Sequence, residues 1–153
     1  MEEICGKVKK LAHFDESFPL PSYETMGAAG ADVRASLASR DTMIIAPGER
    51  KLVPTGLVFE IPVGFEIQVR PRSGLSLKTA LMVVNSPGTI DADYRGEVQI
   101  ILGNLGSCAE VIKHGDRVAQ LILAPVTRAC YQAVSELGDT TRGAGGFGST
   151  GRS

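Results

Sequence analysis

Phe65-Glu66-Ile67-Gln68-Val69-Arg70 alternates without a break. Phe65, Ile67 and Val69 share one face of an extended chain, and Glu66, Gln68 and Arg70 share the other, the period-two pattern of a half-buried strand. Runs of the same kind occur at 42–46, 55–61, 98–102, 118–123 and 128–134. Turn residues punctuate them: Pro47-Gly48, Pro62-Val63-Gly64, Pro87-Gly88, Gly103-Asn104 and His114-Gly115-Asp116. Many short strands at this spacing predict an all-β fold, a jelly-roll-like sandwich or barrel. One segment reads as helix, residues 73–80, with Ser73 as its N-cap after Pro71. At about two turns it is too short to stand alone and must lean on the sheets. The chain shows no internal repeat. Residues 1–140 read as one β domain and 141–153 as a flexible, glycine-rich arm.

Composition bounds the function. The 153 residues carry a net charge of −1, so no global basic field exists for gripping nucleic acid. No run approaches the ~18–20 apolar residues of a membrane span. The acidic start, Met1-Glu2-Glu3-Ile4-Cys5, lacks a secretory pattern. Three scattered cysteines, Cys5, Cys108 and Cys130, form neither a disulfide framework nor a zinc cluster, and a reducing cytoplasm is the simplest setting. Hydrophobic residues are 43% and aromatics 5%, so Val, Ile and Leu must build the core. Glycine, at 18 residues, exceeds the roughly 11 of an average chain at ~7% usage.

Ten of those glycines fall in five polar segments with four of the seven Asp residues. Core packing does not call for Gly beside Asp or Arg, whereas backbone amides brought against an anion do. Arg142-Gly143-Ala144-Gly145-Gly146-Phe147-Gly148-Ser149-Thr150-Gly151 contains a literal GxGxxG, but five residues after Gly148 leave no room for the helix and sheet of a Rossmann unit. No P-loop pattern is present. What remains is an arm carrying a cation, a ring and two hydroxyls, suited to phosphate and to stacking on a base. Pro71-Arg72-Ser73-Gly74 places a guanidinium and a hydroxyl at the helix start, as anion site or as simple cap. In Gly88-Thr89-Ile90-Asp91-Ala92-Asp93-Tyr94-Arg95-Gly96, an extended chain would point Asp91 and Asp93 to one face, where a carboxylate can act as general base. Alone, that stretch reads better as a turn with Asp93 or Arg95 in surface ion pairs. Ala28-Ala29-Gly30-Ala31-Asp32-Val33-Arg34-Ala35 and Gly115-Asp116-Arg117-Val118-Ala119-Gln120 each read as a turn entering a strand. Gln120 faces away from Ala119 and Leu121. His13 and His114 join no constellation, and His114 reads as a turn residue.

Taken in order, the five segments resemble the five motifs of the homotrimeric dUTPase family. They are similar to AGxDLxA (with Val33 where Leu is usual), PRSG, GxIDxxYxG with Asn85 three residues ahead, GDRxAQ, and RGxGGFGSTG. The resemblance spans Ala29 to Gly151 and misses no motif. It implies a jelly-roll-like fold in a trimer with three active sites at subunit contacts. The implied reaction is attack of water on the α-phosphorus of dUTP, giving dUMP and pyrophosphate, which limits uracil in DNA and supplies dUMP for dTMP synthesis. Asp91 matches the general base. Mg2+ is expected to be held mainly by the phosphates, with Asp32 helping through water. Arg72, Ser73, Gly74 and Gln120 match phosphate-holding positions. Asn85, Gly88, Thr89, Ile90 and Gln99 fall where the family reads uracil, and Tyr94 matches the ring packed under the deoxyribose. Arg142, Gly148, Ser149 and Thr150 match the γ-phosphate end, with Phe147 stacking on uracil from another subunit. Ordering ten arm residues at ~1–2 kcal/mol each exceeds the ~8 kcal/mol of a micromolar ligand. The arm is therefore expected to be restrained by neighbouring subunits and only partly closed over substrate. Two rivals share the fold: a dCTP deaminase, which needs a hairpin Glu where this chain has Asp91, Tyr94 and then Glu97, and a non-catalytic nucleotide binder.

Overall fold

The aliphatic faces predicted from alternation do meet in one core. The computed structural model describes residues 4–146. Val33, Ile45, Val53, Val98, Ile100, Leu102, Ile112 and Val118 are all but fully excluded from solvent. Phe14 and Phe59 are the aromatic rings buried with them. At about 1.5–3 kcal/mol for each large side chain, this burial is the main force holding the sheets face to face.

Among the described residues, eleven strands and one helix surround the core. In chain order they are β1 (Lys7–Lys10), β2 (Ala31–Arg34), β3 (Thr42–Ile45), β4 (Arg50–Pro54), β5 (Leu57–Glu60), β6 (Phe65–Arg70), α1 (Ser73–Lys78), β7 (Leu81–Val83), β8 (Gly88–Ile90), β9 (Gln99–Asn104), β10 (Glu110–Lys113) and β11 (Arg117–Pro125). They form a four-stranded sheet ordered β2-β11-β6-β8, a three-stranded sheet β4-β9-β7, and the pairs β1-β5 and β10-β3. All pairing is antiparallel. This is the expected jelly-roll-like β architecture with one short helix. No helix among the described residues is long and apolar enough to cross a membrane.

Phe65–Arg70 is the central strand β6, flanked by β11 and β8, and Ile67 and Val69 enter the core as the alternation requires. Its outward face carries the functional rows. Asp32, Gln120 and Arg70 lie side by side across β2, β11 and β6, while Gln68 stands between Ile122 and Thr89.

Several expectations need correction. Residues 128–134 are not a strand: they are exposed, with Tyr131 92% accessible. Alternation equips a segment for a sheet, but a strand also needs a partner, and among the described residues this segment pairs with none. Gly103-Asn104 is not a turn but the end of β9. Gly103 pairs with Arg50 on one side and Met82 on the other, and the buried Asn104 side chain donates to Ile45 O at 2.9 Å and Cys108 O at 2.7 Å. β5 begins at Leu57 rather than 55, because the Thr55 hydroxyl turns to Val98 O at 2.6 Å and Gly56 takes φ +69°. The helix stops at Lys78, where Thr79 becomes extended and its hydroxyl donates to Leu75 O at 2.8 Å. β1, β4, β7, β8 and β10, three to five residues each, are too short to show a clear period in the sequence.

The N-terminal segment is fastened by one carboxylate. Asp15 accepts from the Ser17 amide at 2.9 Å and its hydroxyl at 2.7 Å. The Leu37 amide donates to His114 Nδ1 at 3.0 Å, leaving Nε2 to donate to Asp15 at 3.0 Å. So His114 is indeed a turn residue, with a structural partner. The Ser17 hydroxyl first, then His114, hold the Asp15 carboxyl well below its ordinary 3.8. A depressed carboxylate stabilises the fold above that ordinary value and loses its contribution as pH falls below it. Asp15→Asn should therefore flatten the acid limb of stability. Urea midpoints at pH 7 and pH 3 check this: the wild type should lose more than the variant.

Candidate active site

Three of the five glycine-rich segments converge at one end of the four-stranded sheet. Asp32, its side chain only 12% exposed, accepts Arg72 Nε at 2.8 Å on one oxygen and Arg117 Nη1 at 3.0 Å on the other. Arg117 also reaches Glu24 at 3.3 Å. Gln120, one strand over from Asp32, donates to Pro71 O at 2.9 Å and so fixes the chain just before the helix. Gly30 makes that possible: a Cβ there would collide with Gln120 Oε1. Arg72, not Ser73, is the N-cap, and no side chain caps the helix. Ser73 and Gly74 are its first two residues, both exposed. The uncapped turn presents a hydroxyl and backbone amides beside the Arg72 guanidinium.

The hairpin candidates lie elsewhere. Val84-Asn85 turns between β7 and β8, and the Asn85 amide packs where a Gly88 side chain would stand. Thr89 is exposed beside Gln68, while the Ile90 side chain packs on the core. Asp91 follows as β8 ends, and the chain does not continue extended: Ala92-Asp93 form a turn closed by the Tyr94 amide on Asp91 O at 3.1 Å. Asp91 and Asp93 thus do not share a strand face. The Asp91 carboxylate is exposed, and no described side chain bonds it. Arg95 donates instead to Ala92 O at 2.7 Å and Tyr94 O at 2.9 Å, not to a carboxylate. The Tyr94 ring folds over Gly96, where a Cβ would strike it, and its hydroxyl donates to Glu97 O at 3.1 Å. Gln99 opens β9 and lines a shallow cavity of about 620 Å³ with Leu37, Lys51 and Leu52. Arg142 donates to Gly145 O at 2.8 Å in an exposed turn. Phe147, Gly148, Ser149 and Thr150 lie outside the described residues.

One strand separates the two groups. Ile90 pairs with Ile67, three residues before Arg70, about 10 Å at ~3.3 Å per residue. Asp91 and Arg72 then run on in opposite directions. A single chain does not bring its hairpin carboxylate to its own arginine cluster.

Comparison with known proteins decides the family. Residues 16–151 match the dUTPase family model. The chain belongs to the dUTPase family. It is 57% identical over 152 residues to the deoxyuridine 5'-triphosphate nucleotidohydrolase of Bdellovibrio bacteriovorus, covering 99% of each chain. Identity is 56% over 136 residues to that of Rhizobium etli, covering 89% of this chain and 87% of the relative. Among solved structures, a Staphylococcus bacteriophage 80alpha dUTPase mutant with dUpNHpp superposes with a TM-score of 0.83 at 25% identity, over 97% of this chain and 99% of the other.

Seen as a dUTPase, the chain shows residues that sequence reasoning passed over. Arg117 sits inside the fourth motif, and its value as a second cation on Asp32 was legible there. Glu24, in an irregular loop, gave no signal. Arg70, in line with Gln120 and Asp32, looked like an ordinary solvent-facing strand residue. Among the described residues no three His, Cys, Asp or Glu side chains converge as a metal cage. Gly30→Ala should leave the fold intact, because the collision is with the end of a flexible side chain and Gln120 Cβ, at 3.1 Å, needs only a small shift, yet displace Gln120 from Pro71. We expect weaker binding of dUpNHpp, read by calorimetry, with an unchanged circular dichroism spectrum.

Proposed function

We propose that this chain hydrolyses dUTP to dUMP and pyrophosphate, with Asp91 as the general base that activates the attacking water. The observation that carries the reading is the exposed Asp91 carboxylate of the third motif, bonded by no described side chain, in a chain matching the dUTPase family along 16–151. A free carboxylate can accept a proton from water without first breaking a salt bridge. The adjoining hairpin, with Asn85, Gly88, Thr89, Ile90 and Gln99, reads the base. Tyr94 lies under the sugar, where its ring leaves no space for a 2′-hydroxyl.

The triphosphate belongs to the other cluster. Asp32 occupies the Arg72 Nε and Nη1 reaches the Arg117 carbonyl at 3.4 Å, so the guanidinium keeps its Nη2 donors for phosphate, and Ser73, Gly74 and Gln120 add a hydroxyl, amides and an amide side chain. Mg2+ fits this donor set as an ion brought by the triphosphate rather than caged by protein. Asp32, engaged on both oxygens by arginines, retains lone pairs to accept a hydrogen bond from a metal-bound water. When bound, the ion neutralises phosphate charge and orients the chain for in-line attack. Residues 141–153 act as an arm, with Arg142, Gly148, Ser149 and Thr150 at the γ-phosphate and Phe147 on the base.

Two features support a homotrimer with shared sites. The Asp91 and Arg72 groups point away from each other along β6, so neighbouring chains must supply the missing half. The outer faces of the smaller sheets are also apolar: Ile44 pairs with Val111, and Leu52, Ile101 and Val84 lie in a row, with Ile44, Leu52, Val84 and Val111 each at least 40% exposed. A contiguous apolar face of this sort is ordinarily covered by a partner. Segment 128–134, unpaired among the described residues, is available for the same contact. Deamination is disfavoured by Glu97, whose carboxylate is already engaged by the Gly56 amide at 2.7 Å and His13 at 2.8 Å. A cytoplasmic setting suits the three exposed thiols.

Pyrophosphate release from dUTP and Mg2+ tests the assignment. Asp91→Asn should lose about 10²–10⁴ in turnover while still binding dUpNHpp, the usual cost of removing a general base. A fully active variant refutes the role of Asp91. Subunit mixing tests the shared site: Asp91→Asn and Arg72→Ala chains, each inactive alone, should recover activity when co-assembled, and no recovery would place both groups in one chain's site.

A further inference from the structure

Glu97 is the most heavily engaged carboxylate near the hairpin, and nothing in the proposed chemistry uses it. It stands between the Asp91–Gly96 loop and β9, its side chain 17% exposed. One oxygen accepts the Gly56 amide at 2.7 Å and meets His13 Nε2 at 2.8 Å; the other accepts Gln99 Nε2 at 3.3 Å. Its main-chain carbonyl accepts the Tyr94 hydroxyl at 3.1 Å. Both partners on the first oxygen, one a main-chain amide and one a side chain, are rigidly placed. Gly56 sits at φ +69° with no room for a Cβ against Phe14, and its carbonyl accepts the Leu11 amide at 2.8 Å. His13 is held through its carbonyl by the Ser36 hydroxyl at 2.7 Å, and Phe14 beside it is 5% exposed. The loop itself has weak internal support: Arg95 on two carbonyls and the Tyr94 amide on Asp91 O. Its first foot is fixed by β8 pairing with β6, and the chain beyond it is fixed at Val98, whose amide donates to Leu57 O at 2.9 Å and whose carbonyl accepts the Thr55 hydroxyl at 2.6 Å; the Glu97 carboxylate adds a tie just before that point, at the residue that bonds Tyr94.

We infer that Glu97, with His13, is a positioning residue for sugar discrimination: it ties down the loop just before Val98 and thereby sets the Tyr94 ring against the deoxyribose. The inference rests on the dUTPase reading of Tyr94. Charge is not required by the geometry, since a glutamine oxygen can accept the Gly56 amide and an Nε2–H of His13 equally well. What matters is an acceptor at that point. Loss of the acceptor leaves a buried amide unpaired and loosens the loop up to Val98, which widens the space beneath the sugar.

The test is the ratio of kcat/KM for dUTP over UTP in the assembled full-length protein. Glu97→Ala should lower this ratio about tenfold, the scale of one lost hydrogen bond to a charged group, with UTP gaining relative to dUTP. Glu97→Gln should restore the ratio to within about twofold, as the acceptor is retained. His13→Ala, which leaves the Gly56 bond in place, should shift the ratio in the same direction by less, and it decides the matter if Glu97→Ala does not fold. A folded Glu97→Ala protein that loses dUTP and UTP turnover in equal proportion overturns the inference, as does an unchanged ratio in His13→Ala when that variant alone can be measured. A wild-type protein that fails to prefer dUTP over UTP refutes the underlying reading of Tyr94 instead, and the two failures are thereby told apart.

Discussion

β6 spaces the chemistry of this molecule. Its strict alternation puts Ile67 and Val69 into the core, and those two contacts fix the strand's rotation, so Gln68 and Arg70 have to face outward. A strand cannot shorten, and its rise of ~3.3 Å per residue separates whatever is attached to its two ends. At one end Pro71 and Arg72 lead into the helix; at the other, through its pairing with β8, sits Asp91. The division of the proposed site between chains follows from that spacing. So does the arrangement of outward rows, in which Asp32 and Gln120 take their places by register with Arg70.

The arginine end is an electrostatic balance rather than a bare positive patch. Asp32, largely removed from water, carries two guanidinium partners, and Glu24 offsets part of the second. An isolated carboxylate at this depth would be costly, and two partners on separate oxygens satisfy it. The same pairs hold Arg72 and Arg117 in defined poses before any ligand arrives, reducing the side-chain ordering left for binding. Glycine serves packing here more than flexibility. Gly30 clears the path of Gln120, and Gly96 clears that of the Tyr94 ring.

Particular residues show how far the sequence was legible. The fold class could be read from β6 because six residues of perfect alternation leave no competing period. β8 and β7, at three residues each, carry too little pattern, and they are recognisable only once β6 and β9 are there to pair with them. Residues 128–134 show the converse error, a strand-like pattern that pairs with no strand among the described residues. At the site, Asp32, Arg72 and Gln120 were recoverable from motif chemistry, and the structure brings them together. Glu97 was visible only as a residue displaced from a rival enzyme's catalytic position. Its engagement by Gly56 and His13, 41 and 84 residues away, has no local trace.

The sequence by itself determined the all-β class, the aliphatic core and the residue types available for binding an anion, because periodicity and composition are local properties. The dUTPase family was legible there too, since five short motifs kept their order and spacing. Which motifs lie together was decided by tertiary structure alone. Register across β2, β11 and β6 joins the first, second and fourth, and the length of β6 sets the third apart. Partnership between distant residues depends on strand pairing and turn geometry summed over the whole chain, and no window of sequence contains that sum.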